Sequence, residues 1–167
     1  MNWSESVPIF VLILVPLFLA LGAVASLGQS RHNAWKLARL ATLAGFVLSV
    51  GWLVVGLSGG FAVVSNAWLQ ASPLSLVMLL LANFIAFVVV RYSATYLSGE
   101  PGEQRFASLV QATFAAVSLA VISNHLILFL VAWTSISMAM HQLLMFYPGR
   151  PRAALAAHKK FLFARAA

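Results

Sequence analysis

The 167-residue sequence contains no cysteine and only three acidic residues, Glu5, Glu100 and Glu103. Without cysteine there is no disulfide, no thiolate nucleophile and no Cys-ligated zinc or iron–sulfur cluster in this chain. Three carboxylates so placed cannot supply a paired-carboxylate site inside an apolar segment, and no GxGxxG, P-loop, GxSxG or HExxH pattern occurs. The sequence therefore assigns no catalytic residue, no cofactor and no metal to this chain.

Apolar residues make up 62% of the chain and charged residues only 8%, with a mean hydropathy of +0.97. Such a composition describes a chain whose solvent is lipid. The formal charge of +7 does not mark a nucleic-acid face, because the ten Lys and Arg fall between and beside long apolar runs. A helix needs about 20 apolar residues to cross roughly 30 Å of hydrocarbon. Five segments meet that length, at about 7–27, 37–57, 73–97, 106–123 and 125–146. A sixth helix is expected to begin at about 152–167, with Pro151 at its first turn and an alanine-rich run after it. The expected fold is all-α, a polytopic transmembrane helix bundle of five spans plus the start of a sixth.

Arg31, Lys36 and Arg39 mark the first connection, Arg91 and Arg105 flank the third, and Arg150 and Arg152 mark the fifth. The second and fourth connections carry no Lys or Arg. By the positive-inside rule the odd connections are cytoplasmic and the N-terminus is outside. The first apolar run has no basic region ahead of it, so it is read as a retained span and not as a cleaved signal. Pro16 is expected to kink that span. Gly45, Ser49 and Gly51, with Gly56, Gly59 and Gly60, should let neighbouring backbones approach the second. Trp3, Trp35, Trp68, Tyr92, Tyr96 and Tyr147 lie at span ends, as an aromatic belt requires.

Polar residues inside the bilayer usually face another helix or water. On the fifth span Thr134, Ser137 and His141 stand at i, i+3 and i+7, which puts two hydroxyls and an imidazole on one stripe. On the fourth, Ser108, Gln111 and Ser118 form a similar row, and the two rows are expected to enclose a hydrated path or to hydrogen-bond between helices. The imidazole of His141 can pass a proton, or it can serve as an interhelical hydrogen-bonding group. Asn83 reads as interhelical glue, and His125 as an interfacial residue at its helix start. Lys159 and Lys160 project about 100° apart on a helix, so one is expected to face the bundle and the other to snorkel to the headgroups. The candidate ion path is thus Thr134, Ser137, His141, Lys159, Lys160, Gln111 and Ser118.

The stretch Arg91-Tyr92-Ser93-Ala94-Thr95-Tyr96-Leu97, with Gly99-Glu100 and Arg105-Phe106 after it, resembles the third-to-fourth helix junction of the antiporter-like family. That family includes the L subunit of respiratory complex I and the large subunit of multisubunit cation/proton antiporters. Asn124-His125-Leu126-Ile127-Leu128-Phe129 followed by Ala132-Trp133 resembles the family's run into its fifth helix. Where the respiratory and antiporter members carry a proton-translocating glutamate directly after that tryptophan, this sequence has Thr134. A neutral hydroxyl cannot hold a mobile proton as a carboxylate does.

The run from His141 to Pro151, and then Ala157-His158-Lys159-Lys160-Phe161, is similar to the membrane-subunit branch of DAB-type inorganic-carbon accumulation complexes. The resemblance implies a DabA-like partner, a zinc protein resembling β-carbonic anhydrase, with the zinc in that partner and an ion gradient energising CO2 capture as bicarbonate. Members of the superfamily have many more helices, so the sequence is expected to cover roughly the first third of such a subunit. Two other readings stand beside this one: a fragment of a proton- or sodium-translocating respiratory or antiporter subunit, and a non-conducting membrane scaffold.

The topology is tested by single cysteines in this cysteine-free background. An impermeant thiol reagent applied to intact cells should label positions near Asn66 and spare positions near Arg31. Labelling near Arg31 with none near Asn66 would invert the orientation.

Overall fold

The computed structural model describes residues 9–58 and 63–146, with 155, 158, 159, 162 and 163. A 3-10 turn, Ile9–Ile13, runs into α1 (Leu14–Leu27). Five residues at about 2 Å and fourteen at about 1.5 Å give roughly 31 Å, so the two together reach across the hydrocarbon where α1 alone is short. Pro16 is the third residue of α1, immediately after the change from 3-10 to α geometry. The proline expected to kink the span thus stands at a change of helix type. In the first α turn the N–H that proline lacks would have no α-helical partner anyway.

After a short connection, α2 (Arg31–Ser58) has 28 residues and begins six residues before the apolar run at Leu37. At about 42 Å it exceeds the hydrocarbon thickness, so its basic first turns lie at the headgroups, where helix formation needs no apolar surface. A two-stranded hairpin follows, β1 (Val64–Ser65) and β2 (Gln70–Ala71), in antiparallel register Val64↔Ala71 and Ser65↔Gln70. Its turn is set by Asn66, whose Oδ1 accepts the N–H of Trp68 at 2.9 Å and of Leu69 at 2.6 Å.

Ser72 caps α3 (Pro73–Tyr96) in a capping box with Ser75, and Pro73 occupies the first turn. The turn into α4 (Glu103–Ile122) uses Gly99 at φ 94° and Gly102 at φ 88°, a left-handed backbone that glycine adopts without a Cβ clash. His125 then caps α5 (Leu126–Leu144), its Nδ1 accepting the Ile127 N–H at 3.2 Å. The observed helices match the five expected spans in number and order, and the small hairpin is the addition to the all-α expectation.

α4 is the most enclosed span and α5 the least. α4 packs on α1, α3 and α5, and α2 packs between α1 and α3. Each end of the bundle has its own apolar cluster. One joins Leu12, Val15, Leu69, Leu76, Leu79 and Ile122 beneath the hairpin. There Asn124 fastens the hairpin to the α4–α5 connection, its N–H donating to Trp68 O at 2.8 Å and its Nδ2 to Asn66 O at 2.6 Å. The other cluster joins Trp35, Ala38, Val90, Ala94, Ala107 and Val110 at the basic end.

Two glycines permit the closest helix approaches. A Cβ on Gly22 of α1 would collide with Gln111 Oε1 and Ala41, and one on Gly45 of α2 would stand 2.7 Å from Asn83 Oδ1. Gly51, grouped with Gly45 by composition, has nothing within 4 Å of such a Cβ, so its expected packing role is not observed. Gly59 and Gly60 lie outside the described residues. Replacing Gly22 or Gly45 by alanine should destabilise the bundle by about 1–3 kcal/mol through overpacking. Gly51→Ala should be neutral or slightly stabilising. Thermal unfolding of the three variants in detergent checks the contrast.

Candidate functional site

The polar residues of α4 point to α1 and α3. Ser108, Gln111 and Ser118 are all buried. Gln111 Nε2 donates to Ser26 Oγ of α1 at 3.0 Å and to Ala107 O of its own helix at 3.3 Å. Ser26 Oγ in turn donates to Gly22 O at 2.7 Å. One level away, Asn83 Nδ2 of α3 donates to Leu79 O at 2.8 Å and to Ser118 Oγ at 3.3 Å. The amide oxygens Gln111 Oε1 and Asn83 Oδ1 accept no hydrogen bond among the described residues, and each lies against a glycine of a neighbouring helix. The glue role expected of Asn83 is what this geometry provides.

The polar stripe of α5 points elsewhere. Its buried residues are Ala132 and Ala139, one stripe at i and i+7. Thr134, Ser137 and His141 lie about 140–200° around the helix from that stripe, at about 100° per residue. Thr134 is exposed, and Ser137 and His141 are half-buried. Neither Thr134 nor Ser137 hydrogen-bonds to α4 among the described residues. The expected path shared by the α4 and α5 rows is therefore corrected. α5 meets α4 through alanine, which permits close approach, and its hydroxyls and imidazole occupy the opposite face.

His158 stands on that opposite side, its ring edge-on to His141 with centroids 5.4 Å apart. His158 and Lys159 are exposed, while Lys160 lies outside the described residues, as do Trp3, Tyr147 and the run Arg150 to Arg152. The structure thus brings His141 together with His158, and Gln111 and Ser118 together with α1 and α3. It does not bring these two sets together.

Glu103, to which the sequence assigns no role, is a structural residue of the basic end. It is buried at the first residue of α4. Its Oε1 accepts the Gly99 N–H at 2.6 Å and its Oε2 accepts the Trp35 indole N–H of α2 at 2.8 Å. A carboxylate at a helix N-terminus is favoured by the helix dipole, and here it also closes the α3–α4 turn onto α2. Trp35 is accordingly buried and is not the lipid-facing belt residue expected of it, whereas Trp68, Tyr92 and Tyr96 are exposed at span ends. The available signal was an acidic first-turn residue just past two glycines.

An apolar helical bundle with paired polar side chains between its spans, and basic residues at one set of connections, is a multi-pass membrane unit. The family model for NADH-ubiquinone oxidoreductase (complex I), chain 5 N-terminus, matches residues 62–107. The chain belongs to this antiporter-like family. Within the family it is similar to the probable inorganic carbon transporter subunit DabB of Hydrogenovibrio crunogenus. The two are 43% identical over 162 residues, covering 94% of this chain and 30% of that protein. DabB2 of Halothiobacillus neapolitanus is 42% identical over 99 residues, 59% of this chain and 18% of that protein. NADH-quinone oxidoreductase subunit L of Mycobacterium tuberculosis is 29% identical, over 92% of this chain and 27% of that protein. The chain spans less than a third of the length of these relatives.

The Trp35–Glu103 pair gives a test of how the basic end is held. Trp35→Phe removes the indole donor to the buried Glu103 carboxylate and should cost about 1–3 kcal/mol. In a double-mutant cycle with Glu103→Gln the two changes should couple by at least about 0.5 kcal/mol, read from unfolding in detergent. Additive effects would show that the hydrogen bond contributes little.

Proposed function

We propose that this chain forms the first helices of a membrane subunit of an inorganic-carbon uptake complex, coupling a proton or sodium gradient to CO2 or bicarbonate accumulation by a cytosolic zinc partner. The observation that carries the reading is the 43% identity to an inorganic carbon transporter subunit along nearly the whole chain. The chemistry of α5 supports it. A helix that packs by alanine on one side and carries Thr134, Ser137 and His141 on the other presents hydroxyls and an imidazole to whatever packs beyond it. A polar face within hydrocarbon is stabilised only by protein or water, so the ion path lies between α5 and later segments of the subunit. His141 is the residue on that face whose imidazole can relay a proton. The zinc chemistry is assigned to the partner, as the family resemblance implies, and the absence of cysteine from this sequence agrees with that division.

A respiratory or antiporter subunit is the second reading, favoured by the match to subunit L. The neutral Thr134, where the resemblance leads one to expect a glutamate, weighs against it.

The test uses the full-length subunit in its native membrane. Co-purification of a soluble zinc protein supports the carbon-uptake reading, and co-purification of several antiporter subunits supports the second. His141→Ala should lower gradient-dependent bicarbonate uptake by about tenfold or more while the assembled protein stays abundant. Loss of protein in parallel with loss of uptake would assign His141 a structural role.

A further inference from the structure

At the basic end, α2 and the α3–α4 turn enclose a cavity of about 340 Å³. His32, Lys36 and Arg39 line it from α2, Ser98 from the turn, and Trp35 and Glu103 from within the bundle. The two basic side chains and the imidazole are exposed, whereas Trp35 and Glu103 are buried. Glu103 accepts the Gly99 N–H and the Trp35 indole N–H, and Lys36 and Arg39 are cations lining the cavity.

The position of these cations on the helix matters as much as their charge. His32, Lys36 and Arg39 recur at i, i+4 and i+7, and the same stripe continues as Leu43, Phe46 and Val50. Leu43 and Val50 are exposed. Phe46 stacks on Phe87 of α3 with centroids 6.1 Å apart and lies 5.9 Å from Phe84, which is itself exposed. One turn on from Phe87, Arg91 stands with its guanidinium carbon 5.6 Å from the Phe87 ring centre. In the antiparallel register that sets Gly45 against Asn83, Arg91 comes to the depth of Arg39, within about 3 Å along the axes. The α2–α3 face therefore has three cations at the interface and an outward aromatic and aliphatic surface directly below them.

We propose that this face binds an anionic diacyl phospholipid, its phosphodiester held by Lys36, Arg39 and Arg91 and its acyl chains laid on Leu43, Phe46 and Phe84. A free oxyanion would use the cations alone. The apolar stripe running on from them into the hydrocarbon favours the lipid, because it contributes only to a ligand with chains. Basic clusters at span ends attract anionic headgroups. The site is separate from the α5 stripe and stands whether or not the carbon-uptake reading holds.

Native mass spectrometry of the full-length protein, exchanged into detergent with equal amounts of phosphatidylglycerol, phosphatidylethanolamine and phosphatidylcholine, tests it. The unaltered protein should retain phosphatidylglycerol about tenfold better than either zwitterionic lipid. The Lys36→Gln/Arg39→Gln variant, and separately Arg91→Gln, should lose that preference, while Arg105→Gln, an exposed charge at the same end but outside the cavity, should keep it. Equal retention of the three lipids by the unaltered protein overturns the proposal without reference to any variant. So does an equal loss in Arg105→Gln, which would reduce the effect to general surface charge. Displacement of phosphatidylglycerol by inorganic phosphate at matched concentration would mark a free-oxyanion site and also overturn it.

Discussion

Hydrocarbon offers no hydrogen bonds, and in this bundle that constraint falls hardest on α4. Every polar side chain on its inner face must be met by protein. Gln111 is met by Ser26 of α1 and Ser118 by Asn83 of α3, so two interhelical bonds at different depths fix the rotation of α4 against both neighbours. Glycine makes this possible. Gly22 and Gly45 leave room for the two amide groups between backbones, where any larger residue would force the helices apart and lengthen those bonds. Once α4 is set, the two apolar clusters follow, one closed by the hairpin and the other by the Trp35–Glu103 tie.

The spans were legible because hydropathy and length answer to the bilayer alone, and the bilayer is the same for every helix. What the sequence concealed answers to neighbours. The extra turns of α2 are polar and helical, a combination a hydropathy window ends too early. The hairpin has two residues per strand, too few for alternation to register, and the Asn124 side chain that fastens it bonds to the Asn66 carbonyl 58 positions away in the chain. Gly45 and Gly51 look alike in composition, but one meets Asn83 and the other meets nothing. Trp35 sits at a span end, as a belt residue does, and only the buried position of Glu103 turns it inward.

The polar rows of α4 and α5 show the same limit at the candidate site. Spacing correctly put Ser108, Gln111 and Ser118 on one face, and Thr134, Ser137 and His141 on another. It carried no information about which way either face turned. That azimuth was decided by small residues the pattern did not weigh. Ala132 and Ala139 give α5 a smooth contact with α4, and on a helix of 3.6 residues per turn this contact leaves the hydroxyl and imidazole stripe on the far side.

The division of α5 into an alanine face and a polar face separates two uses of polarity within one bundle. Between α1, α3 and α4 the polar groups are short-range and locked, with Ser26 and Ser118 each bonded across a helix pair and fully buried. Such groups specify packing, and their geometry leaves them little freedom to exchange a proton. On the outer face of α5, Thr134 is open and His141 meets the ring of His158, which belongs to the following segment. A group that is to pass a charge must be able to change partners, and only the second arrangement has that freedom. On the proposed reading α1 to α4 form the static wall of the subunit, and α5 is the first helix whose chemistry can belong to the moving ion.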